Sequence, residues 1–210
     1  MNTDVTTRLD AVNYIIGSVG LTNVPTLDLF NADVSMASGY IDTSSRSIQN
    51  QNGFGWWFNR EYNWKLTPDP VNGIVTLPNN VLACYGFDRW GRRTKMVTRG
   101  RALYDTMEHH FDMRPFVEED GYMHLMMVVQ LDFEDLPQTA KDAVTKAAAF
   151  KFASSAEMEV NRLRVLQGES EDAFFNLQAE ETTQTANNAF TDNMEMRGFV
   201  IRAGGPNRNG

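Results

Sequence analysis

The side chains in this sequence with chemical potential are six clustered carboxylates, three histidines, one cysteine and a knot of tryptophans. Glu118, Glu119, Asp120, Asp132, Glu134 and Asp135 supply acids for the carboxylate pair that a glycosidase sets about 5 to 10 Å apart. Trp56, Trp57 and Trp64 put three of the four tryptophans inside nine positions and would suit a sugar platform beside such a pair. His109 and His110 are adjacent, with Glu108 and Asp112 near them, and His124 stands apart. Adjacent side chains diverge and the H-E-x-x-H spacing is absent, so no metal site is predicted. Gly53 and Gly55 begin a G-x-G whose third glycine position holds Phe58, and no phosphate-cradling G-x-x-x-x-G-K-[ST] occurs. Cys84 lies in no nucleophile context, and there is no G-x-S-x-G. The expectation is a protein without catalytic, cofactor-binding or metal residues.

Bulk properties narrow the partners. The 210 residues carry a formal charge of −8, which disfavours a general grip on nucleic-acid backbones. The single cysteine permits no intrachain disulfide and fits a reducing compartment. Asp4, Arg8 and Asp10 interrupt the first 20 residues, unlike a signal peptide, and no apolar run suits a membrane span.

The elements that must position these residues follow from periodicity. Leu9, Val12, Ile15, Ile16 and Val19 predict a first helix stopped at Gly20. Val34, Ala37, Ile41, Ser44 and Ile48 predict a second, capped by Asn31 or Asp33 and ended at Asn52-Gly53. The period then changes to two. Trp56, Phe58, Tyr62, Trp64 and Leu66 fall on one face and Trp57, Asn59, Glu61, Asn63 and Lys65 on the other, the pattern of a half-buried strand. IVTLP after the turn at 68–73 reads as its hairpin partner. Residues 95–105 and 122–133 are further strand-like runs. A helix is predicted from Gln138 to a stop at Gly168, and another over about 170–196, polar nearly all round in its second half and therefore in need of a partner.

The resulting expectation is an α+β fold. A four-helix bundle (1–52 and 136–196) carries a small β domain (53–135) inserted between its second and third helices, with an extended C-terminal arm at 197–210. Burial in the strand accounts for Trp56, Trp57, Phe58 and Trp64 without a sugar, as a structural joint between helices and sheet. Charge is segregated too. Arg89, Arg92, Arg93, Lys95, Arg99 and Arg101 fall in a stretch without an acid, and residues 105–135 hold nine acids and one base. These blocks read either as a solvated hairpin beside an acidic loop or as complementary seams between identical subunits, Arg89, Arg92, Arg93, Arg99 and Arg101 facing Glu118, Glu119 and Asp120.

The order of several short segments also resembles the tail tubular protein A family of short-tailed phages. AVNYIIGSVG, QNGFGWWFNREYNWKL, VTLPNNVLACY, RGRALYD and FEDLPQTAKDAVTKAAAFKF follow one another as the similar segments do in that family, over about residues 9–195. RWGRRTK and the C-terminal arm match least. The resemblance implies a structural protein of the virion, not an enzyme, made in the host cytoplasm during assembly. It would be a dodecameric head-to-tail adaptor ring joining the portal protein to the tail nozzle and helping to hold tail fibres or spikes. Double-stranded DNA would pass through its acidic channel without specific binding. The end of the last helix and the arm, including Phe190, Met194, Arg197, Phe199, Ile201 and Arg202, would then reach the portal, and the β domain the nozzle and fibres. The competing expectation is a tail-associated carbohydrate-degrading enzyme using acids within 118–135.

Overall fold

The computed structural model describes residues 5–86 and 94–203, with side chains described as far as Thr185 in the last helix and Asn52 excepted. The chain is a mixture of helix and sheet: α1 (Arg8–Ser18), α2 (Ala32–Asn50), β1 (Arg60–Leu66), β2 (Val81–Gly86), β3 (Met96–Arg99), β4 (Ala102–Asp105), β5 (Met123–Val129), α3 (Gln138–Ser155) and α4 (Val160–Ala203).

Local chemistry sets the helix starts. Thr7 caps α1 in a reciprocal box: the Asp10 N–H donates to Thr7 Oγ1, and the Thr7 N–H donates to the Asp10 carboxylate at 2.9 Å. The Thr7 hydroxyl, which also donates to that carboxylate at 2.8 Å, and then the Thr7 N–H hold the Asp10 carboxyl below the usual carboxylate range. Asn31 caps α2 by accepting from the Asp33 and Val34 N–H groups. Val34, Ala37, Ile41, Ser44 and Ile48 are all buried, as their spacing requires.

Two expectations about the helices are corrected. The third helix does not run to Gly168; it closes at Ser155, where Glu157 takes a left-handed φ of 52° and the Met158 N–H reaches back to the Ala153 carbonyl. A non-glycine residue makes that turn, so composition carries no sign of it. α4 then runs straight through Gly168 and Ser170. A Cβ on Gly168 would meet no atom within 4 Å. Glycine there costs the helix up to about 1 kcal/mol against alanine. Gly168→Ala is expected to raise the unfolding free energy by about 0.5–1 kcal/mol, measured by urea denaturation.

The strand expectations change more. β1 begins at Arg60, not Trp56, and a bulge between Glu61 and Trp64, with Asn63 at φ 59°, breaks its two-residue period. Tyr62 is consequently exposed while Trp64 packs inward. IVTLP is not the hairpin partner of β1. Its backbone pairs with the start of β4, the Leu103 N–H donating to the Val75 carbonyl and the Leu77 N–H to Arg101. β1 pairs instead with β5, distant in sequence, giving an antiparallel sheet of order β1-β5-β2. Residues 95–105 form the separate hairpin β3-β4.

Two apolar clusters result. One is shared by all four helices and includes Trp56, Phe133 and Leu136; the other lies between the strands and is rich in methionine, with Met96, Met113, Met123 and Met127 around Cys84. Leu131 packs against both. α3 and α4 lie antiparallel: they are joined by a short turn at one end, and Thr139 Oγ1 donates to Glu180 at the other. α4 therefore leaves the helical layer at the same end as the sheet, whereas the α1–α2 loop lies at the opposite end.

Candidate structural joint between helices and sheet

Residues 53–59 make neither a strand nor a platform. They form a folded turn between the end of α2 and the start of β1, built around Gly55, Trp56 and Asn59. Gly55 holds φ at 63°, and a Cβ there would lie 2.6 Å from a Val128 methyl and 2.7 Å from Asn59 Oδ1. Only glycine fits both the dihedral and the space. The turn drives Trp56 into the helical cluster, where it is 2% exposed and its indole N–H donates to the Ile48 carbonyl at the end of α2. Phe174 of α4 meets that ring edge-on, with centroids 5.8 Å apart.

Asn59 is the polar centre. Its Oδ1 accepts from the Trp56 N–H at 2.8 Å, and its amide donates to the carbonyls of Gln49 (2.9 Å) and Val129 (3.0 Å). Its backbone carbonyl accepts from the Val129 N–H. Gln49 lies beside it, fully buried. Its amide donates to Ser45 Oγ and the Leu131 carbonyl, and its Oε1 accepts from the Leu131 N–H. Five backbone groups from α2, the turn and the end of β5 thus find partners through two side chains, as burial demands. From α4, Glu181 accepts from the Trp57 N–H at 2.8 Å and pairs with the Arg60 guanidinium. α2, β1, β5 and α4 meet at this one point.

Of the expected joint residues, Trp56, Trp57 and Phe58 come together against the helical cluster, while Trp64 packs against the strand cluster and donates its indole N–H to Glu61. Spacing alone missed Gly55, Gln49, Asn59 and Glu181. The available signals were a polar residue inside an aromatic run and a glutamine beside the apolar seam of α2.

The expected charge seams fall as follows. Arg89, Arg92 and Arg93 lie outside the described residues. Arg99 stacks on the Tyr104 ring, 3.5 Å from its centroid, and Arg101 donates to the Leu77 carbonyl. Glu118 and Glu119 are exposed, but Asp120 is engaged inside its own chain by Lys65 (2.9 Å) and His124 (3.0 Å). The Lys65 hydrogen bond is the main reason that its carboxyl falls to about 2. Phe190, Met194, Arg197, Phe199, Ile201 and Arg202 lie beyond the described side chains.

The acids at 118–120 and 132–135 sit beyond opposite ends of β5, about 20 Å apart at strand rise. That separation is too large for a glycosidase pair drawn from both groups. Among the described residues no group of three or more His, Cys, Asp or Glu side chains could hold a metal ion, and no helix is long and apolar enough to cross a membrane. Burial pushes the Cys84 thiol up to about 12, leaving it unreactive at neutral pH.

The model of a family described as Tail tubular protein matches residues 9–199. Tail tubular protein A of Klebsiella phage KP34 is 30% identical over 133 residues, covering 63% of this chain. The match spans 64% of that relative's length.

Proposed function

From the premise that this chain belongs to the tail tubular protein family, and so is a structural component of a phage tail, we propose that it is the head-to-tail adaptor. Twelve copies form a ring between the portal and the tail nozzle, enclose the DNA channel and help to anchor fibres or spikes. In this reading the helices act as a bundle and residues 53–135 as a β domain inserted into it. The observation that carries the reading is the family match, which runs across helices and strands alike. The net charge of −8 suits a channel that lets the duplex slide, because binding by counterion release needs clustered cations. The joint supports it mechanically. A subunit repeated twelve times multiplies any error in the angle between its two parts, so that angle must be rigid.

Native mass spectrometry of the purified protein, alone and with the portal ring of the same phage, tests the proposal. Twelve copies added per portal ring are expected. A chain that ignores the portal at micromolar concentration contradicts the adaptor reading.

A further inference from the structure

Apolar surface is exposed beyond both ends of α2. Before its N-terminus, Leu29 is 62% exposed and Phe30 lies wholly in solvent. The backbone that carries them is tied down. The Phe30 N–H donates to Asp28 Oδ1 at 3.0 Å, the Asn31 N–H donates to the Asp28 carbonyl, and the Asn31 side chain caps the helix. A knob held in this way loses little freedom on docking, and large apolar side chains left in water at its tip are the kind of surface that a partner covers.

Beyond the C-terminus of α2, an open groove of about 670 Å³ runs between the turn at 51–56 and α4. Trp56, Phe175 and Ala179 give it an apolar part, and Phe175 is 68% exposed. Gln51, Gln178, Thr182 and Glu181 give it a polar part. The Glu181 carboxylate is already engaged by the Trp57 N–H and by Arg60. Among the described residues no hydrogen bond uses the side-chain amides of Gln51 and Gln178, so their N–H groups are free to donate.

The knob cannot reach the groove of its own chain. The 19 residues of α2 hold the two about 28 Å apart at 1.5 Å per residue. A second copy is under no such constraint. We infer that the Leu29–Phe30 knob of one copy docks in this groove on the next. Phe30 packs against Trp56 and Phe175, and the Asp28 carboxylate accepts from the Gln51 and Gln178 amides. Apolar tip then meets apolar surface, and the acid meets amide donors and not an unpaired charge of its own sign. Knob and groove are different surfaces, so the contact is heterologous and repeats from copy to copy until a ring closes. Only that closure rests on the adaptor reading.

Thiol cross-linking of full-length protein in the presence of the portal ring tests the contact, because Cys84 is the sole cysteine and is buried. Thr26→Cys and Thr182→Cys place exposed thiols beside the knob and at the groove without removing either anchor. With a short bismaleimide, the double variant is expected to give a ladder of multimers of this chain, and either single variant none. In phage assembly Phe30→Ser is expected to lower the yield of tailed particles at least tenfold with an unchanged urea midpoint, and Phe175→Ser likewise. Because the two rings touch each other, the double serine variant should lose no more than the worse single one. Losses that multiply in the double variant overturn the inference, as does a normal yield from Phe30→Ser. A Thr26→Cys chain that links to the portal subunit overturns it too. Twelve copies bound per portal ring without a ladder overturn this contact and leave the adaptor reading standing. A ladder from a chain that ignores the portal does the reverse.

Discussion

Trp56→Ala is expected to lower the unfolding free energy by about 3–5 kcal/mol, a large share of the 5–15 kcal/mol typical of a domain. The indole is 2% exposed, packs on Phe174 and donates to the Ile48 carbonyl, so truncation opens a cavity and removes one of the two donors to that carbonyl, the Gln51 N–H being the other. Trp56→Phe separates these effects. It retains most of the buried area but not the N–H donor, and should cost about 1–3 kcal/mol. Trp64→Ala should cost less than Trp56→Ala, because Trp64 is only partly buried against the strand cluster. Urea denaturation of the three variants gives the ranking directly. A Trp64→Ala loss equal to that of Trp56→Ala would show that the tryptophans act as one aromatic block and not through the joint.

Asn59→Ala is the second large effect, about 3 kcal/mol or more. It leaves the Trp56 N–H and the Gln49 and Val129 carbonyls unpaired in a buried site, each at a cost of about 1–3 kcal/mol before relaxation. Asn59→Asp makes a sharper test. The carboxylate can still accept from the Trp56 N–H, but it faces two carbonyl oxygens in place of donating to them. Burial and those carbonyls should raise the folded-state pKa of the new carboxyl above its unfolded value. A raised pKa contributes stability that is fully present below the unfolded value, near 3.9, and is lost as pH rises through the folded value. The Asn59→Asp variant should therefore gain stability relative to wild type as pH falls from 7 toward 4. A difference between the two proteins that does not change with pH would mean that water reaches Asn59 and that the joint is not sealed.

Much of this was legible in the residues themselves. The seam of α2 and the Asn31 cap follow from spacing and side-chain chemistry within a few turns of helix, and the same rules would have found the Thr7–Asp10 box. The family could be identified as well, because the order of short segments from AVNYIIGSVG to FEDLPQTAKDAVTKAAAFKF survives where no single one is distinctive. The concentration of tryptophan suggested one structural joint; Trp56, Trp57 and Phe58 gather against the helical cluster, and Trp64 packs against the strand cluster.

What the sequence alone determined was thus the helical faces, the mixed α+β character and the family; these rest on local periodicity and on order along the chain. Only the tertiary structure decided that β1 pairs with β5 and not with IVTLP, since strand pairing is a choice among distant partners that alternation cannot make. It likewise decided that Trp56–Asn59 is a turn. Asn59 becomes satisfiable only when the carbonyls of Gln49 and Val129, 10 and 70 residues away, converge on it. The same convergence places α4 against Trp56 and the sheet at one end of the helical layer.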